Sequence, residues 1–229
     1  PSFSGVRSDY ERVLKQRNAL LKSAYSTNRD EVKQTLDVWD AQLARLGAQV
    51  TSERLALVSE IAPYVSDSYE TVSQNRGPFT ITYRTALDLE SDASVNDIEM
   101  AILNQLAVRR KDELDRGVTL VGPHRDDLEL SLQGLPVRGY ASHGESWSCA
   151  LALKIAVFHL LRKVSRHGDP VLILDDVFAE LDEVRRDQLV QLISTCEQTV
   201  ITAAVAADVP EGISGAMFEV KDGTVNRYA

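Results

Sequence analysis

The chain has 229 residues, 44% of them hydrophobic and 26% charged, with a formal net charge of −9. That balance fits a soluble globular protein and not a disordered one, and it argues against a surface coated for binding DNA. No stretch approaches the ~18 consecutive apolar residues that a membrane-spanning helix needs, so no membrane association is expected.

The start, Pro1-Ser2-Phe3-Ser4-Gly5, is short and polar and carries no secretory pattern. A first residue that is Pro and not Met is expected where something upstream has been removed. From Pro1 to Lys33 seven basic residues (Arg7, Arg12, Lys15, Arg17, Lys22, Arg29, Lys33) face four acidic ones; a solvated helix face and a phosphate-tracking stripe both fit. Ser8 reads as an N-cap, and Tyr10, Val13, Leu14, Arg17, Leu20 and Leu21 then follow helical spacing. A longer helix is expected from about Asp30 to Ala62, stopped by Pro63. Its apolar positions Val32, Leu36, Trp39, Leu43, Leu46, Val50 and Leu57 fall almost on a heptad, the pattern of an arm packed on one or two neighbouring helices.

Phe79, Ile81 and Tyr83 alternate with Thr80, Thr82 and Arg84, a half-buried strand. Asp92 to Ser94 offer caps for a further helix carrying Val95, Ile98, Ile102 and Leu106 and ending near Gly117. From Val118 the chain changes kind. Short strands at Val118–Val121 and Leu128–Leu132 lead to a turn at Gly134 and then a largely apolar helix from about Glu145 to Lys163. Val171 to Leu174 reads as a fully buried strand of the parallel type. A helix from about Glu183 to Ser194 and a strand from Thr199 to Thr202 complete a βαβ unit. The end is expected as a hairpin, Met217–Val220 with Thr224–Tyr228, turned at Asp222-Gly223. The two cysteines, Cys149 and Cys196, lie far apart amid apolar residues, the pattern of buried thiols in a cytoplasmic protein. The four histidines, His124, His143, His159 and His167, are scattered without zinc spacing.

The sharpest chemical feature is the apolar run ending in Asp175-Asp176. It places carboxylates at the C-terminal edge of a parallel sheet, where open α/β folds bind ligands. One carboxylate there can hold Mg²⁺ through water and the next can orient or deprotonate an attacking water; a strand-ending helix cap is the plain alternative. Ser142-His143-Gly144-Glu145 opens a buried helix whose free N–H groups and dipole favour an anion, or simply cap it. Arg125, beside Asp126 and Asp127, fits a structural ion pair or a phosphate or interface contact. His124 reads as a packing or turn residue.

The order of these pieces is more specific than any one of them. Gly122-Pro123-His124-Arg125-Asp126-Asp127, then Ser142-x-Gly144, then Leu174-Asp175-Asp176-Val177-Phe178-Ala179-Glu180-Leu181-Asp182 resembles the RecF family of bacterial ABC/SMC-type ATPases. Tyr10 to Lys22 resembles it too, so the likeness covers most of the chain. The implied fold is α/β plus a helical arm: the C-terminal part of an ABC-type ATPase sheet (117–229) with signature, Walker B and D-loop, and a largely helical arm (1–116). The resemblance implies a bacterial cytoplasmic protein that binds ATP and Mg²⁺ and forms an ATP-dependent head-to-tail homodimer. Its implied partners are double-stranded or gapped DNA and recombination mediator proteins, which it loads in recombinational repair and replication restart. In that picture Asp175 supports Mg²⁺ and Asp176 stands where most ABC ATPases carry a catalytic Glu. Ser142, Gly144 and Glu145 form the signature that meets the other subunit's γ-phosphate, and Ala179, Glu180, Leu181 and Asp182 form the interface loop.

Two departures stand out. Glu145 occupies a position where the family signature commonly has Gln, and a carboxylate near a triphosphate is repulsive. No Gly-x-x-x-x-Gly-Lys-Ser/Thr occurs in the 229 residues, so there is no backbone cradle for phosphates and the chain alone is expected not to hydrolyse ATP. Two other readings remain open: a non-catalytic DNA or protein interaction module with a helical arm, and a Mg²⁺-dependent hydrolase using Asp126, Asp127, Asp175 and Asp176.

Overall fold

The computed structural model describes residues 3–24, 29–73, 77–210 and 212–227. In chain order the elements are α1 (Phe3–Ser23), α2 (Arg29–Ser73), β1 (Phe79–Arg84), α3 (Val95–Arg116), β2 (Asp127–Leu132), β3 (Leu135–Pro136), α4 (Val137–Tyr140) and α5 (His143–Val164). There follow β4 (Leu172–Asp175), α6 (Glu183–Ile193), β5 (Thr199–Thr202), β6 (Phe218–Lys221) and β7 (Thr224–Arg227). The strands form three small sheets, ordered β1-β2-β3, β4-β5 and β6-β7. The chain divides into two compact units, each made of two segments: Pro1–Ala62 with Thr80–Ser131, and Pro63–Phe79 with Leu132–Ala229.

The first unit is built on three helices. Val6, Tyr10 and Val13 of α1, Leu43, Leu46 and Val50 of α2, and Ile98, Ile102 and Leu106 of α3 share one core. Helix α1 starts at Phe3, more than a turn earlier than the Ser8 cap would place it. Val6 is buried in phase with Tyr10, Val13 and Arg17, so tertiary packing extends the helix past a residue that would otherwise end it. Ser94 caps α3 in a reciprocal box with Asp97, and Gly117 closes it at φ 65, as the sequence leads one to expect.

Among these apolar side chains sits a charged one. Arg17 is 0% exposed. Its Nε donates to Asp40 Oδ1 at 2.6 Å, Nη1 to Thr119 Oγ1 at 2.8 Å and Nη2 to Glu113 Oε2 at 2.6 Å. The network continues outward: Arg110 donates to both Asp40 and Asp37. Thr119 N–H and hydroxyl both donate to Asn18 Oδ1, and Leu120 N–H donates to Glu113 Oε1. These side chains take the backbone donors of residues 119 and 120, and 118–121 is not a strand, contrary to the apolar pattern. Arg17 also leaves the basic excess of the first 33 residues, while Arg7 and Arg12 pair with Glu11 and Asp9. The side chains of Arg29 and Lys33, like that of Val32, lie outside the described residues.

Helix α2 does not stop at Pro63; it runs through it to Ser73. Proline removes one i→i−4 hydrogen bond and costs about 3 kcal/mol inside a helix. Burial of Val65, Tyr69 and Val72 beyond it offsets that loss, since each large buried apolar side chain contributes about 1.5–3 kcal/mol.

In the second unit Leu151 and Ile155 of α5, Leu174 of β4, Leu189 of α6 and Val72 at the end of α2 form one core with Phe178 and Leu181. Strand β4 pairs parallel with β5 across α6, with Asp175 opposite Thr202, which is the expected βαβ unit. The strand is not buried on both faces, however: Leu174 is 5% exposed and Ile173 66%. Among the described residues, helices and turns cover the Leu174 face, so a run of apolar residues alternates in burial. β6 and β7 form the expected hairpin, with Asp222 at φ 51 and Gly223 at φ 76; both central residues left-handed is the type I′ arrangement. Tyr228, expected in its second strand, lies outside the described residues. Cys149 is buried, Cys196 half-buried, and neither is in a disulfide.

Removing one member of a buried ion network strands the others. Arg17→Met is expected to destabilise the first unit by about 3–5 kcal/mol, read as a lower urea midpoint. An unchanged midpoint would show that the network does not hold the three helices.

Candidate functional site

Three of the pieces singled out from the sequence lie in the second unit. Ser142 is the N-cap of α5, at φ −63 and ψ 166. Its Oγ accepts the N–H of Glu145 at 3.3 Å, while its own N–H and hydroxyl donate to Glu145 Oε2 at 2.8 and 2.7 Å. This is a reciprocal capping box. The carboxylate of Glu145 is therefore turned back onto the cap, where the partial positive charge of the helix start stabilises it. Ser148, buried one turn on, donates to the Gly144 carbonyl at 2.9 Å and steadies that first turn. A Cβ built on Gly144 would meet nothing within 4 Å. Glycine inside a helix is worse than alanine by roughly 1 kcal/mol, and nothing among the described residues requires it there.

Asp175 is the last residue of β4 and Asp176 follows at φ 53, a left-handed conformation uncommon for residues other than glycine. The Asp176 N–H donates to the Thr202 carbonyl at 3.2 Å and to Thr202 Oγ1 at 3.1 Å. The Thr202 hydroxyl in turn donates to Asp175 Oδ1. Both aspartates are exposed. Thr202 reads in the sequence only as the end of a strand. The signal that would have found it is register: two parallel strands of equal length, joined by one helix, put their last residues side by side.

The loop from Val177 to Asp182 is divided in role. Phe178 and Leu181 are buried in the core, while Ala179 and Asp182 are exposed; the side chain of Glu180 lies outside the described residues. Asp182 caps α6 by accepting the Arg185 N–H at 3.0 Å and pairs with the same guanidinium. Arg186 Nε donates to the carbonyls of Phe178 and Leu181, each at 3.1 Å. The loop is thus tied down from below and presents a small residue and an acid outward.

Arg125 and its neighbours belong to the first unit and are occupied structurally. Its guanidinium donates to the Thr119 carbonyl through Nε and Nη2 at 3.2 and 3.0 Å. Asp126 accepts from Tyr83 Oη at 2.6 Å, and Asp127 accepts from the Leu128 N–H at 2.8 Å. Burial raises the carboxyl of Asp126 above its ordinary value and pushes Tyr83 up to about 12. Arg54, which carries no motif, donates to the Pro123 carbonyl at 2.6 Å. Gly122 sits at φ 121, and a Cβ there would lie 2.6 Å from the Tyr10 hydroxyl, so only glycine fits this turn. Tyr10 approaches His124 Nδ1 at 2.6 Å, and His124 Nε2 lies 3.2 Å from the Thr119 carbonyl. Because a carbonyl only accepts, Nε2 carries the proton and Nδ1 accepts from the tyrosine: a packed, neutral histidine. Among the described residues no group of three or more His, Cys, Asp or Glu side chains could hold a metal ion. No helix among them is long and apolar enough to cross a membrane.

No protein-family model matches the chain. Over 99% of its length it is 46% identical to the DNA replication and repair protein RecF of a Nocardioides species, of which it covers 65%, and 46% identical to that of Beutenbergia cavernae, of which it covers 63%. It is 48% identical to RecF of Streptomyces avermitilis, covering 61% of it. The chain thus spans somewhat less than two thirds of the curated relatives it matches. Among solved structures it superposes on the recombination mediator protein RecF-ATPrS of the RecFOR pathway with a TM-score of 0.83 at 26% identity. The superposition covers 99% of this chain and 59% of that one. The RecF-ATP structure of the same pathway gives 0.83 at 25% identity, covering 58% of that chain.

Burial lowers the His124 imidazole below its ordinary value, with the charges of Arg125 and Arg17 acting in the same direction and the Thr119 carbonyl opposing. The unfolded chain therefore takes up the proton first as pH falls. Stability present above about pH 6.5 declines below it until the folded histidine also titrates. Asp126, raised by burial, acts with the opposite sign at lower pH. In His124→Gln the loss of stability between pH 6.5 and 5, followed by urea titration, is expected to be smaller than in the parent; an identical slope overturns this assignment.

Proposed function

Because this chain belongs to the RecF family and has its ABC-type ATPase fold with a helical arm, we propose that it is part of an ATP-dependent DNA-binding protein of recombinational repair and replication restart. The intact protein dimerises around ATP on double-stranded or gapped DNA and helps load recombination mediators there. Residues 117–229 supply signature, Walker B and interface loop, and residues 1–116 the arm. By itself the chain, with no Gly-x-x-x-x-Gly-Lys-Ser/Thr, does not turn over ATP.

One observation carries this reading: Asp175 and Asp176 stand exposed at the end of a parallel strand, with Asp176 at φ 53. Backbone strain of this kind persists where surrounding structure over-determines it, and it clusters at functional sites. Asp175 suits Mg²⁺ as a hard oxygen donor, one oxygen engaged by Thr202 and the other available. A single carboxylate is not a cage, which fits an ion held mainly by phosphates and water. Mg²⁺ would supply neutralisation of charge on the phosphates. Asp176 is placed to orient a water, and Gly144 leaves an open approach to the start of α5. Ser142 and Gly144 meet the other subunit's nucleotide, with Glu145 held on its own cap and away from the anion. Ala179 and Asp182, exposed residues of a loop that Leu181 and Arg186 hold in place, face the partner subunit, and Glu180 belongs to the same interface loop. Arg125 contributes through the fold of its loop.

In the intact protein, Asp176→Asn is expected to lower ATP turnover about a hundredfold while ATP binding persists. Ser142→Ala should weaken ATP-dependent dimerisation measured by light scattering, and Glu145→Gln should strengthen it severalfold by removing a charge while keeping the cap. Full turnover in Asp176→Asn, or hydrolysis by the 229-residue chain alone, would sink the reading.

A further inference from the structure

The two carboxylates of the proposed site are joined through one residue that the site does not otherwise use. Thr202 ends β5 directly opposite Asp175. Its Oγ1 accepts the Asp176 N–H at 3.1 Å, and its hydroxyl donates to Asp175 Oδ1. The direction is fixed by chemistry: an N–H can only donate and an ionised carboxylate can only accept, so the one hydroxyl proton goes to Asp175. The Thr202 carbonyl receives the Asp176 N–H as well, at 3.2 Å. One residue thus holds the carboxylate of the first aspartate and the backbone of the second, where the chain turns through φ 53.

We propose that Thr202 is a positioning residue for the ATP reaction, orienting the Asp175 carboxylate and fixing the main chain of Asp176; this rests on the reading of Asp175 and Asp176 given above. Threonine suits the task better than serine because its branched Cβ restricts the first side-chain torsion, and better than valine because valine lacks the proton. With one Asp175 oxygen engaged, the carboxylate cannot rotate freely, and its second oxygen keeps one orientation. All three residues are exposed, so in water these bonds contribute little to stability. Their value lies in orientation once nucleotide and partner exclude water, where a fixed dipole acts more strongly. A substitution here therefore leaves the fold intact and is read in the chemistry.

The test uses the intact protein. Thr202→Val is expected to lower kcat for ATP about tenfold, with the KM for ATP within about twofold. It should also raise severalfold the Mg²⁺ concentration needed for half-maximal ATP-dependent dimerisation, and speed hydrogen exchange at the Asp176 amide without nucleotide. Thr202→Ser should restore kcat to within about threefold of the parent, since it returns the donor. Asp175→Asn and Asp176→Asn are measured beside them. If the aspartate variants lose turnover while Thr202→Val matches the parent, the positioning role is overturned and the site stands. If the aspartate variants keep turnover, the site itself is overturned, and this role with it. Equal loss in Thr202→Val and Thr202→Ser with a lowered urea midpoint would make Thr202 merely structural and also overturn the proposal.

Discussion

A guanidinium removed from water must find an acceptor for nearly every N–H it carries, and Arg17 finds its acceptors on three different pieces of chain. Asp40 comes from α2, Glu113 from α3 and Thr119 from the turn after α3. The planar fork allows little freedom in where those acceptors stand. Apolar contacts alone would let three helices slide or rotate on one another with modest loss, because hydrophobic attraction has no direction. The fork removes that freedom. Glu113 also binds the Leu120 N–H and Thr119 binds Asn18, so the same contacts shape the turn that leads to Gly122 and His124. The first unit therefore depends on a polar core within an apolar one.

The second unit works on a different plan. Ser142, Gly144, Asp175, Asp176, Ala179 and Asp182 lie at or beside the ends of elements and are exposed, and buried neighbours steady them. Leu174 precedes Asp175, Phe178 and Leu181 flank Ala179, and Ser148 lies one turn beyond Gly144. Exposed chemistry on a buried footing is what a site needs if its other half comes from elsewhere. In the proposed site a Cβ on Gly144 would meet nothing within 4 Å, and the Glu145 carboxylate is held on its own helix cap.

Much of this was legible in the sequence because local rules decided it. The Ser94 and Ser142 caps, the Gly117 stop, the alternating strand at Phe79 and the Asp222-Gly223 turn rest on short-range geometry that the sequence states directly. What was not legible depended on residues far apart in the chain. Pro63 reads as a stop, and only the burial of Val65, Tyr69 and Val72 explains why it is not. Val118–Val121 reads as a strand, and only the side chains of Asn18 and Glu113 explain its shape. Val171–Leu174 reads as buried on both faces, whereas within the described residues β4 pairs with β5 alone and Ile173 is exposed. Arg17 was visible as a charge in phase with an apolar stripe, a signal of burial that composition alone treats as surface. The positions of Ser142, Asp175, Asp176 and Asp182 on their elements followed from the sequence. The hydroxyl that joins the two adjacent aspartates did not, because it belongs to a residue 26 positions further on.

The left-handed turn at Asp176 also bears on how this position can vary. Short side chains such as Asp and Asn tolerate that backbone region more readily because they can hydrogen-bond locally, although Gln133 adopts it too, at φ 54. At Asp176 side chain and main chain are coupled: the φ 53 backbone that brings its N–H to Thr202 favours a short acid over a longer one. Exchanging one acid for the other is then not a one-letter event. A longer acid at this position would either bear the cost of that backbone region or re-bend the chain after β4.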